Sequence, residues 1–369
     1  MTASYAIAML IVALLAYFLI LEVAMRTVVP RLSNGQQREL EDRHAAVLLK
    51  PRMPDGSTSI LVVGNSLLLH GIDRARLQRE MGSRYHVVLY PIEGTTYLDW
   101  YFGLRRLFGD GARPAVLVLC ISVRHLVSNQ TKGEGFAHTM MSMVDLPAVV
   151  RAGHLDMMTA SEYFFANPSA WLGGRSSLRN GLLERWLPNA SALAGALTVR
   201  DPVSLIADPA TISGALHRLR DAGSLCGSYG ARFVFLVPPS LNPSDPAEAV
   251  RSAAELTGLS VLVPYRSGEM PGAAFSDGFH LNPDGAVLFT DRAATALLVV
   301  AAAGQDSAPA SDRGALRQGH ARTYSGAIRA IQAQRWPSNV REPENRVKGT
   351  VTIAHGTVLT ANNRGLENP

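Results

Sequence analysis

Five short runs of apolar, largely β-branched residues constrain this chain more than any other feature: SILVVGNS (59–66), YHVVLYPI (85–92), PAVLVLCIS (114–122), RFVFLVPPS (232–240) and LSVLVPY (259–265). Strands that are apolar on nearly every residue are covered on both faces, which is the condition of a parallel sheet. Helical patterns fill the gaps. Asp73 stands where it can N-cap RARLQREM, in which Leu77 and Met81 share a face. Thr95 to Phe108 carries apolar and aromatic residues at helical spacing, and 211–230 ends in a glycine suited to a C-cap. Asn282 and Pro283 form an N-cap and N1 pair opening a final helix over 283–303. The alternation predicts a flavodoxin-like, doubly wound, five-stranded parallel sheet with helices on both faces. Such sheets bind ligands at the carboxyl ends of their strands, where the strand order reverses.

Two stretches break the rhythm. Residues 126–210 form a long insertion between the third and fourth strands, with Met140, Met141, Met143, Met157, Met158, the cluster YFF (163–165), Trp171 and Trp186. Two readings stay open for it: a packing subdomain, or a lid and acceptor-binding wall. From Gly304 onward the chain is rich in Ala, Gly, Ser, Arg and Asn without a sustained apolar face, so 304–369 reads as a mostly disordered tail. SGAIRAIQAQRW is a candidate short helix there, and VTIAHGTVLT a hairpin-like piece.

At the other end, Met1 to Leu21 contains no charged side chain, close to the roughly 20 residues that cross a bilayer. Glu22 and Arg26 follow at helical spacing and can reach the interface. A cleaved signal peptide is the competing reading, but a basic n-region is missing and EVAMRTVV is a poor cleavage site. The expected organisation is therefore an anchor over 1–25, a juxtamembrane linker over 26–57 that begins as a helix, and an α/β domain over 58–303 that holds the insertion. Arg26, Arg31, Arg38 and Arg43 follow the anchor, and taken alone the positive-inside rule leaves the body of the protein in the cytoplasm.

The net charge is +5, but the basic residues are scattered and no aromatic–basic interleaving of a nucleic-acid reader appears. Nucleic acid is not an expected partner. Cys120 sits in an apolar run and reads as a buried thiol; its pairing with Cys226 stays open. No zinc-type spacing occurs and no cofactor motif is found.

The chemistry concentrates in two places. Gly64, Asn65 and Ser66 directly follow the strand ILVV, so the serine enters a helix where backbone N–H groups converge and can bind a developing oxyanion. Any Gly-x-Ser after a strand can equally be a turn. Asp277 and His280 lie three apart in SDGFHLNPDG, before the last helix. One short loop can then aim an imidazole at the serine and present the carboxylate to its other nitrogen. Asn282 reads as the helix cap.

Taken together, these blocks resemble the SGNH (GDSL-like) hydrolase superfamily. Its G-D-S block resembles Gly64–Asn65–Ser66 with Asn in the middle, its second-block glycine resembles Gly94 in YPIEGTTY, and its D-x-x-H block is Asp277 to His280. The resemblance covers about 58–128 and 211–303. It implies Ser66 as nucleophile, His280 as base and Asp277 as its orienting carboxylate. It also implies oxyanion donors from the Ser66 and Gly94 backbone. The family's third block, G-x-N-D, is replaced by CISVRHLVSN, with no asparagine in the expected place. Ser122, Arg124 or His125 are the substitutes; Arg124 is the strongest donor by charge, although it could equally form a structural salt bridge. Asn129 is a weaker candidate. Gly94 could likewise be an ordinary turn glycine.

The resemblance implies acyl transfer through an acyl-serine, with a carbohydrate or other acyl ester as substrate. An anchor, an SGNH body and an insertion look like bacterial envelope-polysaccharide O-acetyltransferases and esterases. That places the catalytic domain outside the cytoplasm, against the charge count, on a single-pass protein of the inner membrane, with an acyl-donating membrane protein as a possible partner. An esterase on lipid or small esters, and a non-catalytic carbohydrate-binding subunit, are the alternatives.

Overall fold

The computed structural model describes residues 3–32, 34–186 and 207–303. The tail over 304–369, and 187–206 of the insertion, lie outside them.

The chain opens with α1 (Ala3–Leu32) and α2 (Asn34–Val47), then β1 (Thr58–Gly64), α3 (Ser66–Gly71), α4 (Arg74–Met81), β2 (Tyr85–Pro91), α5 (Tyr97–Gly109) and β3 (Val116–Cys120). The insertion supplies α6 (Val123–Val127), α7 (Glu134–Thr139), a 3-10 turn, α8 (Leu146–Gly153), α9 (Met157–Ala166) and α10 (Ala170–Trp186). The chain then runs through α11 (Pro209–Ser228), β4 (Arg232–Leu236), α12 (Ala247–Glu255), β5 (Val261–Leu262) and α13 (Pro283–Ala303). The five strands form one all-parallel sheet flanked by helices, in the order β2-β1-β3-β4-β5. The order reverses between β1 and β3, which pair in parallel with Gly64 opposite Cys120.

All five expected strands form, each shorter than its apolar run. β1 stops at Gly64 because Asn65 turns out as the N-cap of α3. Beyond β4 lie Pro238 and Pro239, and beyond β5 Pro264, none of which has a ladder N–H to give. In the region read as a juxtamembrane helix and linker, α1 runs on to Leu32 and α2 follows.

The fold clusters into two compact units. Among the described residues, the sheet unit comprises Lys50–Leu89, Pro114–Ser128 and 207–303; the helical unit comprises 3–32, 34–49, Tyr90–Arg113 and 129–186.

In the sheet unit, Ile60, Val62, Val116, Val118, Cys120, Val234 and Leu236 point to one face, where Leu68, Leu77, Met81, Phe289, Ala293 and Leu297 of α3, α4 and α13 cover them. The intervening Leu61, Val63, Leu117, Leu119 and Phe235 are buried on the opposite face. The helices start on side-chain caps: Asp73 accepts from Arg76 N for α4, Asp208 from Thr211 N for α11, and Asn282 from Gly285 N for α13. By composition Pro283–Ala302 is long and apolar enough to cross a membrane. Phe289, Ala293, Ala294 and Leu297 nevertheless lie in the sheet core, which identifies α13 as a core helix. Cys120 and Cys226 are both buried free thiols, and burial pushes both pKa values up.

The helical unit buries Trp100, Phe108, Phe136 and Tyr163 in a core of its own. Its α1 carries an exposed apolar span, Ser4–Val28, with a mean hydropathy of 2.7. Buried and half-buried polar groups also tie its other helices together. Asp99 accepts from Thr96 N at 2.8 Å and from Lys132 N at 2.9 Å. Asn167 donates to the carbonyls of Ala137 and Met141, and Arg106 to those of His138 and Met141.

Candidate active site

β1 delivers the first component. Gly64 lies against β3 so closely that a Cβ there would sit 2.2 Å from the Cys120 carbonyl oxygen, so only glycine fits. Asn65, 1% exposed, accepts from Leu67 N at 3.1 Å and starts α3. Ser66 is the first residue of that helix. Its own N–H is one of the four at a helix start that have no intrahelical acceptor.

The second component is the loop before α13. An antiparallel bridge between Phe275 and Leu281 closes it. Ser276 donates to the His280 carbonyl from both its N–H, at 2.8 Å, and its Oγ, at 3.1 Å. Asn282 secures the loop base, receiving Gly285 N while its Nδ2 donates to the Ala273 carbonyl at 2.6 Å. Gly278, at φ +79°, permits the turn that brings the Asp277 carboxylate back over the next two residues. That carboxylate accepts from Phe279 N at 3.0 Å, His280 N at 2.7 Å and His280 Nδ1 at 2.8 Å.

The two components meet across the sheet edge: His280 Nε2 lies 2.9 Å from Ser66 Oγ. Ser66, His280 and Asp277 therefore form one hydrogen-bonded line, built from residues 214 positions apart at its serine–histidine step. Partial burial acts to raise the Asp277 pKa. The His280 N–H, the imidazole and the Phe279 N–H outweigh it and hold the carboxyl well below its usual range. An ionised Asp277 keeps the imidazole proton on Nδ1, so the Nε2 lone pair faces the serine hydroxyl. The His280 side chain is 14% exposed and that of Asp277 42%, so the line runs from a sheltered imidazole to a solvent-facing carboxylate.

Two rings frame the imidazole. Phe279 and His70 each meet His280 edge-on, with centroids 5.1 Å away. His70 escaped notice in the sequence, although it stands four residues after Ser66 on one helix and so shares its face.

β3 contributes the third component. Ser122 caps α6, and its Oγ lies 2.8 Å from His125 Nδ1 while receiving the His125 N–H at 3.4 Å. Arg218 holds the far end of α6 by donating to the carbonyls of Leu126 and Ser128. Arg124 is exposed and makes none of the site's hydrogen bonds among the described residues. The residue aimed inward is its neighbour. Burial foremost, then the charges of Arg124 and His280, pushes the His125 pKa down to about 4. His125 is thus a neutral imidazole at pH 7. A Ser122 hydroxyl that accepts the His125 N–H and gives its own proton to Nδ1 leaves the ring proton on Nε2, as a donor. The His125 ring lies 6.1 Å from that of Phe279. Gly94 belongs to the helical unit, in the turn after β2, with φ +70°.

No group of three or more His, Cys, Asp or Glu side chains among the described residues could hold a metal ion. The fold and site together define an α/β protein with a serine–histidine–aspartate line at the carboxyl end of the first strand of a parallel sheet. Comparison with protein-family models, with curated proteins and with solved structures returns no match to the chain.

Proposed function

We propose that this protein is a membrane-anchored serine hydrolase or O-acyltransferase of the SGNH type, acting on cell-envelope or exported carbohydrate through an acyl-Ser66 intermediate. The observation that carries the proposal is the 2.9 Å approach of His280 Nε2 to Ser66 Oγ, with Asp277 2.8 Å from the opposite ring nitrogen. His280 takes the serine proton as Oγ attacks the ester carbonyl. The imidazolium, stabilised by Asp277, returns that proton to the departing alkoxide. Water or a sugar hydroxyl then attacks the acyl-serine by the reverse sequence. The strand order and the position of Ser66 beside its reversal support a flavodoxin-like frame. Ser66 N–H is one oxyanion donor. His125 Nε2, rather than Arg124, is the group that replaces the absent third-block asparagine.

The α1 span is the anchor, and the catalytic body lies outside the cytoplasm, where polymer acceptors are found. A serine-directed fluorophosphonate should label the full-length protein and leave Ser66→Ala unlabelled; equal labelling of both would overturn the assignment. Turnover of short nitrophenyl esters without a sugar acceptor would identify a hydrolase, and dependence on added acceptor a transferase. Alkaline phosphatase fused after residue 303 is expected to be active.

A further inference from the structure

The helical unit carries a surface that the proposed chemistry does not use. Eighteen uncharged residues, Ser4 to Leu21, precede Glu22 in α1 and rise about 27 Å, close to the thickness of a bilayer's hydrocarbon core. Glu22 does not simply extend into solvent. Its carboxylate receives Ala170 N at 2.7 Å, Ser169 Oγ at 3.1 Å and Trp171 N at 3.2 Å. Arg26 completes the latch, pairing with Glu22 at 2.8 Å and donating to the Pro168 carbonyl at 3.2 Å. Residues 168–171, the elbow between α9 and α10, are thereby fixed at the level of α1 where its uncharged run ends.

The helix leading into that elbow is apolar on its outer side. Along α9, Met157, Met158, Ser161, Phe164 and Phe165 fall within one arc of about 120° at the 100° step of an α-helix. Four of the five are large apolar side chains, with exposures of 84%, 75%, 50% and 58% for Met157, Met158, Phe164 and Phe165. Tyr163 and Ala166, on the reverse side, are 2% and 1% exposed, so α9 is already packed on its inner side. Met157, Met158, Phe165 and Leu172 also line a cavity of about 620 Å³. An exposed apolar face of this kind marks a binding surface. Here the latch states which: the face adjoins the point where α1 leaves the hydrocarbon.

We infer that the outer face of α9 is a membrane-interface surface, seated in the headgroup–acyl boundary of the bilayer that α1 enters. This rests on the reading of α1 as a retained anchor, and adds a second, lateral contact with lipid that holds the helical unit against the membrane. Seating is by apolar side chains at shallow depth, as in interfacial helices.

Single cysteines placed at Leu15, Met158 and Phe165 in the full-length chain, each carrying a nitroxide, test this in phosphatidylethanolamine–phosphatidylglycerol vesicles. The native Cys120 and Cys226 are buried and need no replacement. Labels at 158 and 165 are expected to collide several-fold more often with oxygen than with a water-soluble nickel chelate, as does the label at 15. If 15 is oxygen-accessible while 158 and 165 favour nickel, the α9 inference is overturned and the anchor stands. A nickel-accessible label at 15 overturns the anchor and this inference together. Labels at 158 and 165 immobilised and shielded from both agents would show a protein cover, a second copy included, and overturn it as well.

Discussion

The sheet unit and the helical unit, each taken by itself, both bury an apolar core but differ in how regularly it is laid along the chain. In the sheet unit, order comes from apolar strands whose alternate residues meet helices on either face. The helical unit also buries large apolar side chains, Trp100, Phe108, Phe136 and Tyr163 among them, and adds polar side chains that satisfy distant backbone groups. Glu22 caps α10, Asp99 reaches Lys132, and Asn167 and Arg106 reach the α7 carbonyls and the turn after it. Periodic burial writes itself into sequence. A single side chain that reaches a backbone group tens of residues away does not.

The largest test concerns the carboxyl edge of the sheet unit, where the proposed site lies. His280→Ala is expected to lower ester turnover by about a million-fold, and Asp277→Asn by about ten-thousand-fold, with both variants keeping the wild-type melting profile. Loss of structure in either would mean that the loop is a packing element first.

A smaller effect is expected from Gly64→Ala. The new methyl group meets a strand carbonyl 2.2 Å away, and backbone cannot swing aside as a flexible side chain can. Overpacking of this kind costs roughly 3 kcal/mol, measured as a lower urea midpoint for the sheet unit. In the helical unit, Asn167→Ala removes the side-chain donor of the Ala137 carbonyl, while Arg106 still serves Met141, at a cost of about 1 kcal/mol. If Asn167→Ala proves neutral by the same measurement, that polar bridge adds nothing to the unit's apolar core.

The smallest expected effect is a slope. Burial, against the pull of the Lys132 and Thr96 N–H groups, pushes the Asp99 pKa up to about 6. The folded state therefore holds a proton that the unfolded chain loses near pH 4. The contribution is fully present below pH 4 and is lost as pH rises through 6. Melting temperature of the helical unit followed from pH 4 to 6 should fall less steeply in Asp99→Asn than in wild type.

Sequence reasoning reached the strands, the caps at Asp73 and Asn282, and the three residues of the hydrogen-bonded line, because each rests on a local pattern or a short motif. It stopped short where the determinant was spatial. Arg124 outranked its neighbours on charge alone, yet its side chain is exposed, while His125 is turned inward by the Ser122 hydroxyl. The stretch read as a juxtamembrane helix and linker does hold a helix over 34–47, but its bounds were not legible because it is strongly polar and offers little apolar periodicity.

The separation of Ser66 from His280 has a consequence for the order of folding. β1 and α3 are synthesised early, but their partner loop is tied to α13, whose packing on α3 and α4 involves contacts across some two hundred residues of chain. Thr290 receives the Asp73 N–H, and Asp291 pairs with Arg76, so the docking of α13 is written into the α4 region. Contacts this distant in sequence are slow to form. A nascent chain therefore carries Ser66 through synthesis without His280 beside it, and the hydrogen-bonded line forms only when its last core helix closes the fold.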